Sequence, residues 1–320
     1  MDNKRIYKYK VLMLSIVLAP VTSVFAMQPL DDQSLSAATG QDGFNIGVSI
    51  DQVKFEQAAL IDKDGLSNKI LDKDYKSPAS TVIAGTTNSP VSVKFVGANT
   101  RPTINVVVDT DGGNGKAFAN IGVSFGSQIS GIKISPFAMY LASMNSTSSS
   151  TSQSKSIYNG GALNTGVSKI IEIGNANNNF EISFNNTNRP QMNIQLGNVP
   201  QGQMIQFSGA IQSICGTGSG CPIAIISGDS SAKFDLQMKA TDVANGFRLN
   251  NFYAGIEPTG VVIGNKGTSG KMNIGLNNVM LGRDGAIGAN TFNGLANGSM
   301  GSFGAIGASV KDLKINVSSF

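Results

Sequence analysis

Apolar and polar residues alternate with period two along most of this chain. The clearest case is Met272–Gly282, MNIGLNNVMLG, which stands about 80 residues after a similar phrase, Met192–Gly202, MNIQLGNVPQG. Looser versions occur at Phe44–Val53, Ile104–Val108, Phe234–Met238 and Leu313–Val317. Period two is the pattern of a strand with one buried face. It predicts strands over 44–55, 103–109, 191–197, 233–239, 271–281 and 311–317. In the second phrase Met272, Ile274 and Leu276 share one phase, while Val279 and Leu281 continue one step out. A β-bulge at the asparagines would re-aim the strand there.

A second echo joins Val91–Val108 to Phe180–Leu196. Arg101-Pro102-Thr103-Ile104-Asn105-Val106 matches Arg189-Pro190-Gln191-Met192-Asn193-Ile194, and Phe95 or Phe184 ends the preceding strand. Proline at a strand start costs the ladder no donor. The echo predicts hairpins of one repeated unit of roughly 80 to 90 residues, too irregular for a short-period solenoid. The expected fold is all-β: mainly antiparallel sheets in an elongated sandwich or roll, with one short N-terminal helix.

That helix falls at about residues 30–39, within MQPLDDQSLSAATGQDG (27–43). Asp31 or Asp32 caps it, Leu30, Leu35 and Ala38 share a face, and Gly40 stops it. Upstream, residues 1–26 have the three parts of a secretory signal peptide: Lys4 to Lys10, the apolar Val11–Val24, and small residues ending at Ala26. The apolar run is too short to span a bilayer as a helix. Cleavage would leave Met27 as the new terminus. The β-rich domain is then 44–320. Ser143–Ser156 is a low-complexity polar segment within it, expected as a disordered insertion in a loop. Gly282–Ala308 is glycine-rich, and both close backbone packing and a flexible segment fit it.

Composition narrows the chemistry. Charged residues are 14%, and the chain holds no His and no Trp. Without His, neither a Ser-His-Asp nor a Cys-His arrangement is available. The +4 net charge lies mostly in Lys4, Arg5, Lys8 and Lys10 against Asp2. No basic patch remains to suggest nucleic acid. No glycine-rich loop precedes a helix, and no cofactor is expected.

Three constellations carry candidate chemistry. Cys215 and Cys221 are the only cysteines, and export makes a disulfide between them the expected state. They would close a tight turn between strands 204–214 and 223–226. Asp109, Asp111 and Asn114 offer oxygen ligands at short spacing and are a weak calcium candidate, because the closing Glu of an EF-hand is missing and an Asp-Gly hairpin turn is the plainer reading. Ser152–Lys155 and Ser230–Lys233 match Ser-x-x-Lys without its companion motifs, as chance allows in a Ser-rich chain.

The block Met27, Leu30, Asp31, Asp32, Leu35, Ser36, Thr39, Gly40, Gln41, Asp42 and Gly43 resembles the opening of Fil-type pilus assembly proteins, which Gram-negative bacteria export. It is also similar to the leader of double-glycine bacteriocins, except that Gln41 replaces the second glycine. The Fil resemblance implies a non-enzymatic protein of the periplasm, outer-membrane surface or an extracellular appendage. Its role would be in pilus or fimbria assembly or adhesion. Its expected partners are other pilus-assembly or envelope proteins, met through sheet edges. An outer-membrane β-barrel is the alternative, and no transmembrane helix is expected after signal cleavage. An enzyme working through carboxylates is a third class, and no acid pair is singled out for it by spacing.

Overall fold

The chain passes back and forth between two sheets, each long path beginning in one and finishing in the other. The computed structural model describes residues 43–62, 79–86, 89–97, 101–112, 115–143, 165–198, 202–283, 291–292, 295–296 and 299–318. The expected signal peptide, N-terminal helix and most of the Ser143–Ser156 segment lie outside these residues. Within them the fold is all-β and antiparallel throughout.

The chain runs as a series of long paths, each broken into short strands. The first path is β1 (Phe44–Ser49), β2 (Gln52–Phe55) and β3 (Gln57–Asp62). The second is β4 (Ala79–Gly85), β5 (Val91–Gly97) and β6 (Thr103–Asp111). The third is β7 (Phe118–Phe125), β8 (Ile129–Ile134) and β9 (Phe137–Ser143). The fourth is β10 (Thr165–Ile173), β11 (Phe180–Phe184) and β12 (Gln191–Gly197). The fifth is β13 (Ile205–Ser208), β14 (Ala210–Ile214) and β15 (Cys221–Ser227). The sixth is β16 (Ser230–Ala240), β17 (Phe247–Arg248) and β18 (Phe252–Glu257). The seventh is β19 (Gly260–Asn265) and β20 (Met272–Arg283). A minor pair follows, β21 (Thr291–Phe292) with β22 (Leu295–Ala296). The last path is β23 (Ser299–Ala308) and β24 (Lys314–Val317).

One strand from every path enters an 8-stranded sheet in the order β1-β6-β7-β12-β13-β18-β19-β24. The other strands, apart from β21 and β22, enter a 14-stranded sheet. In both sheets successive paths lie side by side, so the paths form a meander that crosses a seam eight times over. In the larger sheet β14 and β15 lie end to end against one side of β16, since Ile214 faces Met238 and Cys221 faces Leu236. The same end-to-end relation holds for β11 and β10 against them, for β8 and β9, and for β5 and β4. The interruptions, at Gly174–Asn179 and Cys215–Gly220 for instance, therefore stand side by side.

The seam corrects three expectations. The Arg-Pro echo does not make hairpins. β5 and β6 sit in different sheets, and so do β11 and β12. Each Arg-Pro opens a strand on the far side of the seam. Residues 204–214 are likewise two strands, parted at Gly209 (φ 80°), where a Cβ would collide with the Arg189 carbonyl. Residues 44–55 break at Ile50-Asp51, where the chain passes from the smaller sheet to the larger. The two best phrases also part company, Met192 standing in the smaller sheet and Met272 in the larger.

Other expectations are met. β12 covers 191–197, and β6, β16 and β20 contain the predicted spans 103–109, 233–239 and most of 271–281. The bulge at the asparagines is present. Asn278 has φ 52°, and the register shifts between Leu276 and Val279 against β23. Of the glycine-rich tail, 299–308 is a strand, with Gly304 opposite Gly275.

Burial is thin. In β4 the residues Ser80, Val82 and Ala84 are buried in strict alternation. They face Ala142, Tyr140 and Ala138 on β9. Val82 and Ala142, with Ala59 and Tyr140 against them, make the hydrophobic cluster. A second contact gathers at the seam: the Phe125 ring lies 5.8 Å from Phe95 and 4.9 Å from Phe184.

Candidate functional site

The pinched loop comes first, since its sequence signal was strongest. Cys215 and Cys221 are disulfide-bonded with Cα atoms 5.3 Å apart. The bond does not close a hairpin between neighbouring strands. It closes an excursion from a single path, so that β15 resumes the line of β14 along β16. Cys215 takes positive φ (54°), and its N–H donates to Glu181 (2.7 Å) on the adjacent path. A Cβ on Gly220 would strike the Leu236 carbonyl, so the loop lies tight on β16. Closing so short a loop is worth about 2 kcal/mol in the chain-entropy model.

The excursion is bonded to the bulge of the repeated phrase. Gln237 Nε2 donates to the Gly218 carbonyl (2.9 Å), and Asn277 Nδ2 donates to that of Ser219 (2.7 Å). Asp235 Oδ2 accepts from both Ser219 Oγ (3.0 Å) and Asn278 Nδ2 (2.7 Å). The asparagines that broke the alternation thus bind the loop that the disulfide closes. Beside this lies a cavity of about 320 Å³, lined by Glu172, Asn175, Lys233, Asp235, Asn278 and Met280 among others. Glu172 accepts from Lys169 at 2.6 Å. The charged and amide groups share the lining with Pro222, Ile223, Ala224 and Phe234, so more of it is apolar than polar, and no nucleophile–base pair stands among these residues.

The other sequence candidates are placed as follows. Asp109 and Asp111 end β6, on one face of it, opposite Asn120 and Phe118. Asp109 Oδ1 accepts from the Thr110 N–H (2.7 Å). Asn114 lies outside the described residues, and among those residues no group of three or more acidic or Cys side chains could hold a metal ion. Ser230 and Lys233 both stand in β16, three positions apart, so they fall on opposite faces and form no dyad. Ser152 and Lys155 lie outside the described residues.

Two polar residues at the seam were not found from sequence. Asn185 is buried, and its Oδ1 accepts from Thr187 N, Thr187 Oγ1 and Asn188 N (3.1, 2.8 and 3.0 Å). Its Nδ2 donates to Gln212 (3.3 Å) and to the Ala244 carbonyl (3.0 Å). Arg189 donates from Nε to Ile129 O (2.8 Å), from Nη1 to Asn186 O (2.7 Å), and from Nη2 to Ser127 O. The Asn-Asn-Thr-Asn run before Arg189 was the available signal, because Asn side chains readily close such turns. A similar turn follows β16. There Asp242 Oδ1 accepts from Ala244 N and Asn245 N, and Asn245 Nδ2 donates to Oδ2. Hydrogen bonds from the Asn245 backbone and then its side chain hold the Asp242 carboxyl below its ordinary value of 3.8.

The largest feature is a surface. Cross-strand registers put Phe44, Ile46 and Val48 beside Val108, Val106 and Ile104, then Ile121, Val123 and Phe125. The row continues through Met192 and Ile194 to Phe207 and Ile205. It ends at Ala254, Ile263 and Ile315. One face of the smaller sheet is therefore apolar from edge to edge, and none of these side chains is fully buried. Ile256, in the same row, is 73% exposed. The opposite face carries Asn45, Asn105, Asn120, Asn193, Gln206 and Asn316, with Val107 and the buried Val262 among them. Among the described residues no helix is long and apolar enough to cross a membrane.

Comparison with known proteins adds one likeness. Residues 5–93 match the model of a family of unknown function, DUF6160. No curated protein and no solved structure matches the chain. The matched stretch runs through the first path and into β5, less than half of the chain, and the family it resembles has no function assigned.

Proposed function

We propose that this is an exported, non-enzymatic protein of the cell surface or periplasm that takes part in pilus or fimbria assembly or adhesion through contacts with partner proteins. The observation that carries the reading is the smaller sheet: an apolar face that runs across its whole width, half-buried in the middle and exposed toward the edge strands β1 and β24. Exposed apolar residues gathered in this way mark a contact surface. The Fil-like block at Met27–Gly43 supplies the biological direction, and the disulfide is compatible with an oxidising compartment. The test is a strain whose chain lacks Met27–Gly43 but keeps residues 1–26. The expected outcome is loss of surface piliation or adhesion with the chain still folded and exported. Unchanged piliation and adhesion under those conditions would sink the reading.

A second reading has its own observation. Sequential antiparallel strands, apolar on one face and polar on the other, are also what an outer-membrane barrel needs. Against it, β1 and β24 are not paired with each other among the described residues. Heat-modifiable migration in detergent would favour the barrel, and its absence would favour the assembly role.

A further inference from the structure

The two outer edges of the meander are complementary to each other, and we infer that they join between molecules: the first path of one copy pairs with the last path of the next, giving an open head-to-tail chain of this protein. This deepens the proposed function by naming a partner, a second copy, where that reading leaves the partner open.

Four properties of the edges carry it. The first is direction. The smaller sheet has 8 strands in strict antiparallel succession, so β1 and β24 run in opposite directions. A copy placed beside another continues the antiparallel order without a break. The paths also match in layout, because β24 meets β1 in the smaller sheet while β23 meets β2 and β3 in the larger. They match in length too, residues 44–62 against 299–318.

The second property is the phase of the backbone groups. Ile50 N–H donates to Pro102 O, so by alternation Phe44, Ile46 and Val48 bond inward to β6. Asn45, Gly47 and Ser49 then direct their N–H and C=O groups outward. On the other edge Asn265 N–H donates to Leu313 O, so Leu313, Ile315 and Val317 bond inward to β19. Lys314 and Asn316 point outward.

The third is side-chain phase. All five outward-pointing residues belong to the polar face. Pairing them with one another sets polar beside polar and puts Phe44, Ile46 and Val48 in line with Ile315 and Val317. A slip of one residue would invert the faces, but the hydrogen-bonding phase already excludes it.

The fourth, in the smaller sheet, is the lack of protection. Natural sheets blunt exposed edges with Pro, charge or bulges. β1, Phe-Asn-Ile-Gly-Val-Ser, has no proline and no charge, and β24 has Lys314 alone. Large apolar side chains crowd both paths instead, with Leu60 77% exposed on the first and Ile306 90% exposed on the last. Because the joined edges differ, the contact is heterologous, and a heterologous contact that does not close into a ring extends without limit.

Sedimentation velocity on the chain as processed and exported by the cell, with its disulfide intact, tests this. The expected result is an average mass that climbs with concentration, and filaments by electron microscopy. Gly47→Pro and Asn316→Pro each remove an outward donor while leaving the inward bonds intact. Each variant alone should be monomeric. Mixed one to one, they should give dimers and nothing longer, since only one good edge remains on each. Circular dichroism checks folding, and Gly47→Lys, which sets a lysine against Lys314, is the replacement should the prolines disturb it. An association insensitive to one of the two edges would overturn the head-to-tail arrangement. So would a wild-type chain monomeric at every concentration. A monomer whose Met27–Gly43 deletion still abolishes piliation would overturn the polymer and leave the assembly role standing.

Discussion

The Arg101-Pro102 and Arg189-Pro190 corners start from the same sequence cue and are held in different ways. Both carry the chain across the seam, both bury the proline, and both place a phenylalanine against Phe125. The fourth-path corner adds a buried hub. Asn185 closes its own turn and reaches β14 through Gln212 and the turn after β16 through Ala244. The second-path corner has Val96 in that place, one residue further from its proline. Its backbone carbonyl accepts from Ser130 Oγ (3.2 Å). The repeat thus specifies the crossing, and a residue outside the repeat specifies how firmly the crossing is tied to its neighbours.

The sharpest way to break this comparison is at the ring the corners share. Phe125→Ala leaves Phe95 and Phe184 without their common partner. Losing a packed aromatic of this kind should cost about 3 kcal/mol, read as a lower urea midpoint. A loss below about 1 kcal/mol would mean that the corners stand independently of that contact.

Asn185→Val tests the difference itself, by making the fourth-path corner like the second-path corner. Thr187 and Asn188 lose the oxygen they donate to, and the Ala244 carbonyl loses a donor. Groups stranded in this way should cost about 2 kcal/mol. The reverse change, Val96→Asn, should stabilise nothing. Equal effects at the two sites, in the same urea titration, would erase the distinction.

How much of this was legible in the sequence depends on the range over which each signal acts. Period two is local, and it located β6, β12, β16 and β20. The bulge was also readable, because Asn277-Asn278 visibly shifts the phase from Leu276 to Val279. The break at Ile50-Asp51 left a trace of the same kind, for the apolar positions change from Ile46 and Val48 to Val53 and Phe55. Gly209 left none, since Ile205, Phe207 and Ile211 keep one phase through it. A change of sheet there is a matter of backbone direction, and alternation is blind to that. The hairpin expectation failed for a related reason: Arg-Pro announces a strand start without saying which sheet the strand joins. Of the candidate site, the Cys215–Cys221 pair was readable from the cysteine count. The role of its loop along β16 was not, because it depends on β14 and β15 lying end to end along β16 where a hairpin would have paired them with each other.

The smallest expected effect sharpens the comparison from the far side of the Asn185 hub. The turn Asp242–Gly246 supplies the Ala244 carbonyl that Asn185 binds, and Asp242 holds that turn through three hydrogen bonds. Those bonds favour the charged carboxylate and lower its pKa below 3.8 in the folded chain, with Arg248 adding a minor attraction. A lowered folded pKa means that the contribution is present at neutral pH, above the unfolded value. It is lost as pH falls through the folded value. Asp242 is fully exposed, so solvent screening keeps the effect small. Thermal melts from about pH 5 to about pH 3 should therefore show wild type losing slightly more stability than Asp242→Asn, whose amide keeps an acceptor but does not titrate. In the Asn185→Val background the same pair should differ by another amount, because the turn no longer carries the second corner. Identical pH profiles for wild type and Asp242→Asn would show that the charge on Asp242 adds nothing. The tie between corner and turn would then rest on the Asn185 amide alone.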